Sequence, residues 1–374
     1  MKRIIVTLLI MIIPLVSLCN VSASTFSDAL EEIGGGNLSN SLDQNSQDSL
    51  KNLGIDEKDY NSISNHSFSD FFKEILRIAG QEGVTPLSSL ALVMCLLLIY
   101  SVFDNFRDDL KGRNMQTISD AVFVLIITLS IVTPVVSVVN RAVTSIENAG
   151  SFMLLYIPIM VVALITNGQS VTGASYYSFV VMVGEGITWL SSHLIAPLLS
   201  VFLGVSVTSS VSSDIKLDGI IRELSKFIKW VIAFVMTVFS GLLTFKTLIT
   251  TAADTVSTRA VRFTLSSFIP IVGSALSEAY KTIQGSMTLL KTGLGVFVII
   301  SIVIVFLPVV INCLLWIISL NISSGVADML GVKAPSSVLR SCSSVLSTLL
   351  VIILCVMAIY VISTAIILTL GSAK

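Results

Sequence analysis

The stretch from Thr250 to Lys291 reads TTAADTVSTRAVRFTLSSFIPIVGSALSEAYKTIQGSMTLLK and lies between two segments that are apolar enough to cross a bilayer. Its own apolar core, Phe263 to Leu276, has about 14 residues, fewer than the roughly 17–25 that a membrane-spanning helix needs. Pro270 and Gly273 interrupt that core, and both residue types disfavour a continuous helix. The sequence therefore predicts a re-entrant or interfacial element near 252–292, around which the other segments pack.

The composition of the whole chain is that of a membrane protein. Hydrophobic residues make up 54% of the 374 residues and charged residues 12%, whereas soluble globular chains have about 45–50% and about 25%. The mean hydropathy is +0.93. We therefore expect an all-α polytopic membrane protein whose first partner is the lipid bilayer. The formal net charge of −1 gives no bias toward nucleic acid, and no nucleic-acid partner is expected.

The N-terminal 23 residues have the pattern of a secretory signal. Lys2 and Arg3 precede an apolar run from Ile4 to Leu18, and Val21-Ser22-Ala23 supplies the small residues of a cleavage site. The pattern predicts a signal peptide over 1–23 that is removed after Ala23. An uncleaved membrane anchor is the alternative interpretation.

Residues 24–85 form the substantial polar segment of the chain. They contain eleven acidic and four basic side chains, a net charge of −7, which is typical of a small extracytoplasmic domain. A first helix is expected to stop at Gly34-Gly35-Gly36 and to be followed by a linker rich in Asn, Ser, Gln and Asp. A second helix over 68–79 has one apolar face, which either lies on the membrane surface or packs on its own domain.

The multi-span domain is predicted to begin at Thr85-Pro86 and to extend over 86–374, because proline favours the first position of a helix. Loops 104–117 and 211–229 are rich in Lys and Arg, so they should be cytoplasmic. About eight crossings are expected, or nine if the element near 252–292 also crosses. The expected spans are 87–103, 118–139, 151–167, 174–191, 194–210, 230–251, 293–319 and 343–370.

Several polar side chains in apolar surroundings are candidates for function or for helix pairing. Glu185, between two glycines, should face the bundle, a water path or a basic partner, because an unpaired carboxylate in lipid is costly. Asn312 is expected to bond another helix, and Lys246 to extend toward the membrane surface. The candidate residues of the central stretch are Asp254, Arg259, Arg262, Pro270, Gly273 and Glu278.

These central residues admit more than one interpretation. Arg259 and Arg262 share a helical face and could bind lipid headgroups, pair with Asp254 or Glu278, or contact a partner ring. Pro270 and Gly273 would form the tip of the re-entrant element, with Glu185 as a neighbour.

Enzymatic chemistry finds no support in the sequence. The nucleotide motif GxxxxGK[ST] and the zinc motif HExxH are both missing, and the chain has two histidines. None of the five cysteines falls in a metal-binding spacing, so they are interpreted as small apolar residues. We therefore predict no catalytic, cofactor-binding or metal-binding residues.

Three segments carry a resemblance to a known family. ADTVSTRAVRF (253–263), FIPIVGSALSEAY (268–280) and FLPVVINCLLW (306–316) resemble the stage III sporulation protein AE family of endospore-forming bacteria. The resemblance covers most of the chain, best from about 90 to 370, and brings no catalytic motif with it.

The resemblance implies a multi-pass subunit in the mother-cell membrane that faces the forespore and belongs to a trans-envelope channel complex. Its partners would be other membrane subunits and ring-forming subunits, with the N-terminal domain between the two membranes. One mechanism is a structural platform for these partners; the other is a permease that conducts a small solute through broken helices. Any energy would come from a separate ATPase or an ion gradient.

Overall fold

Six long helices form the fold. The computed structural model describes residues 30–31, 34–59, 62–63, 68–107, 113–190, 218–268 and 273–369, with isolated positions between 193 and 204. A short helix α1 (Gln44–Asn52) is followed by α2 (Phe68–Arg107), α3 (Arg113–Thr166), α4 (Ser170–Leu190), α5 (Asp218–Phe268), α6 (Gly273–Met329) and α7 (Lys333–Thr369). The predicted all-α class is confirmed, and five of the helices, all except α4, are long and apolar enough to cross a membrane.

Glycines in the left-handed conformation end two of the long helices. After α3, Gly168 has a φ of 80°, and the Gln169 N–H donates to the Leu164 carbonyl over 2.8 Å. After α6, Gly331 has a φ of 78°, and the Val332 N–H donates to the Ala327 carbonyl over 3.0 Å. Because glycine adopts positive φ without a steric penalty, both turns reverse the chain within a few residues.

Two glycines near the end of α6 should respond to alanine in opposite directions. A Cβ at either Gly325 or Gly331 would meet nothing within 4 Å, but Gly331 alone has a positive φ. We expect Gly331→Ala to lower the free energy of unfolding by about 1 kcal/mol and Gly325→Ala to raise it by about 0.5–1 kcal/mol. Thermal unfolding of the two purified variants measures the difference. Equal shifts of the unfolding midpoint would contradict this description of the turn.

Side-chain contacts define how the long helices are aligned. α2 and α6 run in the same direction, since Glu82 contacts Asn312 and Pro86 contacts Ser319. α3 and α7 run opposite to α6. For α3, Asn167 contacts Thr288 of α6. For α7, Ser343 contacts Asn321 of α6, and Leu368 lies against Gly295 of α6. α6 is therefore the central helix, and its largest fully buried side chains are Trp316, Phe297 and Phe306.

The N-terminal region packs onto this bundle. Gly34 ends the first turn with a φ of 78°, which confirms the predicted helix stop. The expected linker after it is wrong: Asp43 caps α1 by accepting the Ser46 N–H, and Leu38, Leu42 and Leu50 join the core of the long helices. The leucines that recur within this otherwise polar segment are the feature of the sequence that could have predicted this packing.

Electrostatic contacts hold the same region together. Lys58 bonds Glu31 at 2.7 Å, which holds the pKa of that exposed carboxyl below its usual range. Burial raises the pKa of Glu57, although this carboxyl also accepts the Ser39 N–H. Arg77 of α2 donates to Ser49 of α1 over 3.3 Å, so the region is tied directly to a long helix.

The structure corrects three expected helix boundaries. Spans 118–139 and 151–167 belong to one continuous helix of 54 residues, and the span expected to begin at 86 belongs to a helix that begins at Phe68. Most of the expected central element near 252–292 belongs to the ends of two long helices, because α5 continues to Phe268 and α6 begins at Gly273. Its re-entrant or interfacial character stays a prediction. The expected span 194–210 lies almost wholly outside the described residues, and the eight-crossing count stays a prediction.

Candidate functional site: two polar junctions between the helices

The first site is the Asp254 junction, formed by Asn167, Thr172, Asp254 and Thr288. Asp254 lies on α5 and is 2% exposed, and its carboxylate accepts the N–H groups of Val171 and Thr172 over 2.9 and 2.8 Å. These N–H groups belong to the first turn of α4, where no intrahelical acceptor exists. A capping side chain normally comes from the residue just before the helix, whereas here α5 supplies it. The negative charge of Asp254 also interacts favourably with the positive end of the α4 dipole.

The same junction links α3 to α6. Asn167, in the turn after α3, donates from Nδ2 to Thr288 Oγ1 over 3.2 Å. Lys291 lies one turn further along α6 and is fully buried. The junction therefore joins four helices through the short turn between α3 and α4.

The second site is the Glu82 junction, formed by Glu82, Arg141, Asn312 and Ser319. Arg141 of α3 holds the Glu82 carboxylate in a bidentate contact, with Nη1 to Oε2 at 2.8 Å and Nη2 to Oε1 at 2.5 Å. Asn312 of α6 donates to the same Oε2 over 2.7 Å. One carboxylate on α2 thus ties two further helices together, in the planar geometry that favours arginine over lysine.

The Glu82 junction also explains how Pro86 fits inside a helix. A proline removes the N–H that would bond the carbonyl four residues earlier, which here is the Glu82 carbonyl. Asn312 Nδ2 lies 3.4 Å from that carbonyl oxygen, and Ser319 Oγ donates to the Pro86 carbonyl over 3.0 Å. Asn312 therefore offers a donor to the one carbonyl that the proline leaves open, and Ser319 adds a second contact from α6 at the proline itself. The helix continues through Pro86, where a new start was expected.

A small cleft lies beside the Asp254 junction, between α4, α5 and α7. Its cavity volume is about 10 Å³, roughly the room that one water molecule needs. Lys246 Nζ lies 5.2 Å from the centre of the Phe179 ring at its wall. Among the described residues, Thr172 Oγ1 and Tyr176 OH are buried at this cleft without hydrogen-bond partners. The cleft suits water or a very small polar solute better than a larger ligand.

Two of the candidate residues predicted from sequence, Asp254 and Glu185, are fully described and lie apart in the structure. Asp254 is buried and caps α4 through two backbone N–H groups. Glu185 is exposed rather than turned into the bundle, and it lies about 20 Å along α4 from the capped end, given 1.5 Å per residue. The tip predicted at Pro270 lies outside the described residues, so its contact with Glu185 stays a prediction.

The remaining candidates are described only in part. Arg259 is exposed on α5, and Gly273 is the first residue of α6. Pro270 and the side chains of Arg262 and Glu278 lie outside the described residues. Their predicted roles are therefore untested by the geometry.

Sequence reasoning missed most of the Glu82 junction. The prediction that Asn312 bonds another helix is confirmed, but Glu82 fell within the polar segment 24–85 and Arg141 fell between the expected spans 118–139 and 151–167. The available signal was the spacing of Glu82 and Pro86, four residues apart, because that carbonyl needs an external donor.

No metal site is found in the described ranges: no group of three or more His, Cys, Asp or Glu side chains there could hold an ion. Four described cysteines are free thiols, and Cys313 and Cys342 are buried. This agrees with their interpretation as small apolar residues.

Comparison with known proteins places the chain in a family. The sequence profile of the stage III sporulation protein AE family matches residues 57–371, which is most of the chain. The chain belongs to the stage III sporulation protein AE family. This confirms the resemblance carried by segments 253–263, 268–280 and 306–316, and it supports a role in sporulation and a location in a membrane.

A curated member of this family shares part of the sequence. The stage III sporulation protein AE of Bacillus subtilis (strain 168) is 20% identical over 229 residues, which are 61% of this chain and 55% of the relative. The chain thus matches about half the length of that relative. No solved structure matches the chain.

Proposed function

We propose that this family member is a structural platform subunit of a trans-envelope channel complex in the mother-cell membrane facing the forespore. Family membership supports the sporulation role. The partners proposed are other membrane subunits and ring-forming subunits, and a separate ATPase supplies any energy. The N-terminal 23 residues act as a cleaved signal, so that the acidic region lies outside the cytoplasm.

The observation that carries the platform mechanism is that two carboxylates, one buried and one partly buried, bind neighbouring helices. Asp254 binds the backbone of a neighbouring helix, and Glu82 binds Arg141 and Asn312 from two others. A solute path needs polar groups that remain available to the solute. These groups instead hold helices in fixed register, which is what a surface for partner subunits requires.

The lengths of the helices support the same proposal. α3 has 54 residues and α6 has 57, so each is about 80 Å long at 1.5 Å per residue. A bilayer is only about 40–45 Å thick with its headgroups. Both helices therefore extend well beyond the membrane and offer surfaces for partner subunits.

The permease alternative draws its support from the cleft at Lys246, where two buried hydroxyls lack partners among the described residues. In that mechanism a small solute would displace water from these groups. Lys246→Met should then abolish sporulation with no change in the amount of assembled complex. In the platform mechanism Lys246→Met leaves sporulation unchanged, because a methionine keeps the packing contact with the Phe179 ring of α4.

The proposed function is tested in sporulating cells with Glu185→Gln and Pro270→Ala. For each variant we would measure the frequency of heat-resistant spores, the amount of protein in the membrane and the recovery of co-purifying subunits. The platform predicts that Glu185→Gln is silent, since this carboxylate is exposed, and that any loss in Pro270→Ala appears in assembly and sporulation together. Loss of sporulation with complete assembly in both variants would defeat the proposal.

A further inference from the structure

Two buried hydroxyl groups near the start of α4 line the cleft beside the Asp254 junction. Thr172 is 3% exposed and Tyr176 is 4% exposed. Within the ranges that the structure describes, neither Thr172 Oγ1 nor Tyr176 OH has a hydrogen-bond partner. Because buried hydroxyl groups in proteins almost always bond another protein group or an ordered water, this pair indicates a small polar ligand in the cleft.

The two hydroxyl groups lie on one face of α4. Positions 172 and 176 are four residues apart, so their side chains are neighbours on the helix surface. A side chain on a helix leans toward the N-terminus, which brings the Tyr176 ring toward Thr172. One small ligand between the two side chains can therefore bond both hydroxyl groups.

The size of the cavity limits what this ligand can be. The cavity volume is about 10 Å³, close to the roughly 10–15 Å³ that one water molecule requires. A cavity lined only by apolar groups stays dry, whereas a buried water typically makes about three hydrogen bonds to polar groups. The cleft therefore has the volume and the polar lining that suit a single water.

Charges of opposite sign near the cavity favour a neutral ligand. Lys246 of α5 lines the cleft, with Nζ 5.2 Å from the centre of the Phe179 ring. Asp254 lies eight residues, about 12 Å, further along α5, and its carboxylate accepts the Thr172 N–H over 2.8 Å. The ammonium group disfavours a cation, and the carboxylate disfavours an anion.

We propose that the cleft binds one water molecule, which joins α4 to α5. The water donates to Thr172 Oγ1 and accepts from Tyr176 OH, and the ammonium group of Lys246 donates the third hydrogen bond. Asp254 holds the backbone of the first turn of α4, and the water holds the side chains that follow it. This water site goes beyond the proposed function and does not depend on it.

Oxidation by hydroxyl radicals that X-rays generate from bound water tests the site directly, because such radicals modify the side chains beside that water. The full-length protein in detergent is irradiated, and the modified residues are identified by mass spectrometry. We expect Tyr176 to be oxidised several-fold faster than Trp316, which is 1% exposed and does not line the cleft. Equal oxidation of the two residues would overturn the proposal.

Removal of the two hydroxyl groups gives an independent measurement. Thr172→Val and Tyr176→Phe each delete one hydroxyl and keep most of the side-chain volume. Each single variant should lower Tm by about 2–4 °C, because a hydrogen bond to the water is lost. The double variant should lose clearly less than the sum of the two shifts, because both hydroxyl groups bond the same water.

The control for these variants is Tyr177→Phe. Tyr177 is the neighbour of Tyr176 on α4 and is 45% exposed, so loss of its hydroxyl should leave Tm unchanged. If Thr172 and Tyr176 bonded no ligand, deleting either hydroxyl would leave Tm unchanged or raise it, because a buried group without a partner is destabilising. That result, or additive losses in the double variant, would contradict the shared water.

Discussion

Replacing Asp254 with alanine is expected to lower the free energy of unfolding by about 2–4 kcal/mol, because two buried N–H groups lose their acceptor. The groups are those of Val171 and Thr172 in the first turn of α4, and Asp254 is 2% exposed. Thermal unfolding in detergent measures the loss. Hydrogen exchange should localise it, with faster exchange at the start of α4 and unchanged exchange in the middle of α6.

Two further variants make this prediction specific. Asp254→Asn keeps one acceptor oxygen, so it should lose about half as much stability as alanine. Thr255→Ala changes an exposed neighbour on the same helix and should have little effect. Equal stability of wild type and Asp254→Ala, or equal losses in the alanine and asparagine variants, would contradict the capping role.

Loss of Arg141 is the second large expected effect. Arg141→Ala leaves the Glu82 carboxylate, 17% exposed, with Asn312 as its remaining partner among the contacts described. Breaking a fully buried pair costs about 3–5 kcal/mol, and partial exposure of Arg141 reduces this to about 1–3 kcal/mol. Thermal unfolding in detergent should show the loss.

The matched control is Lys226→Ala. Lys226 pairs with Glu223 on the same helix at 2.7 Å, and both side chains are mostly exposed. Such pairs contribute about 0–0.5 kcal/mol, so the unfolding midpoint should barely move. If Lys226→Ala destabilised the protein as much as Arg141→Ala, the Glu82 junction would have no special role.

The sequence alone predicted the class of the fold but not the lengths of its helices. Composition and long apolar runs are properties of the chain itself, and they indicated a helical membrane protein correctly. Pro86 was interpreted as a helix start, because proline favours the first position of a helix, and Arg141 fell between two expected spans. The residues that let these helices continue lie far away in the chain. Asn312, which binds Glu82 beside Pro86, is 230 residues beyond Glu82.

The contacts of the candidate site could not be predicted either, because their partners are also distant in the sequence. Asp254 was selected correctly as an unusual carboxylate, but its partners are backbone N–H groups more than 80 residues earlier. A sequence does not show which backbone N–H groups a side chain will bind, so this capping role was not among the predictions for Asp254. Glu185 was selected on the same grounds, and its exposed position could not be inferred without the packing of α4.

Exchange of the two charges in the Glu82 junction tests the platform mechanism most directly. Glu82→Arg places two guanidinium groups together, Arg141→Glu places two carboxylates together, and the double variant restores an opposite pair. Asn312 Oδ1 is buried without a partner in the described structure, so it can accept from a guanidinium at position 82.

We would measure spore frequency and recovery of the assembled complex for both single variants and for the double variant. If the charges act by holding helices, each single variant loses complex and spores together, and the double variant regains both. A double variant that recovers the complex but forms no spores would contradict the platform, because the junction would then have a role beyond holding the helices in register.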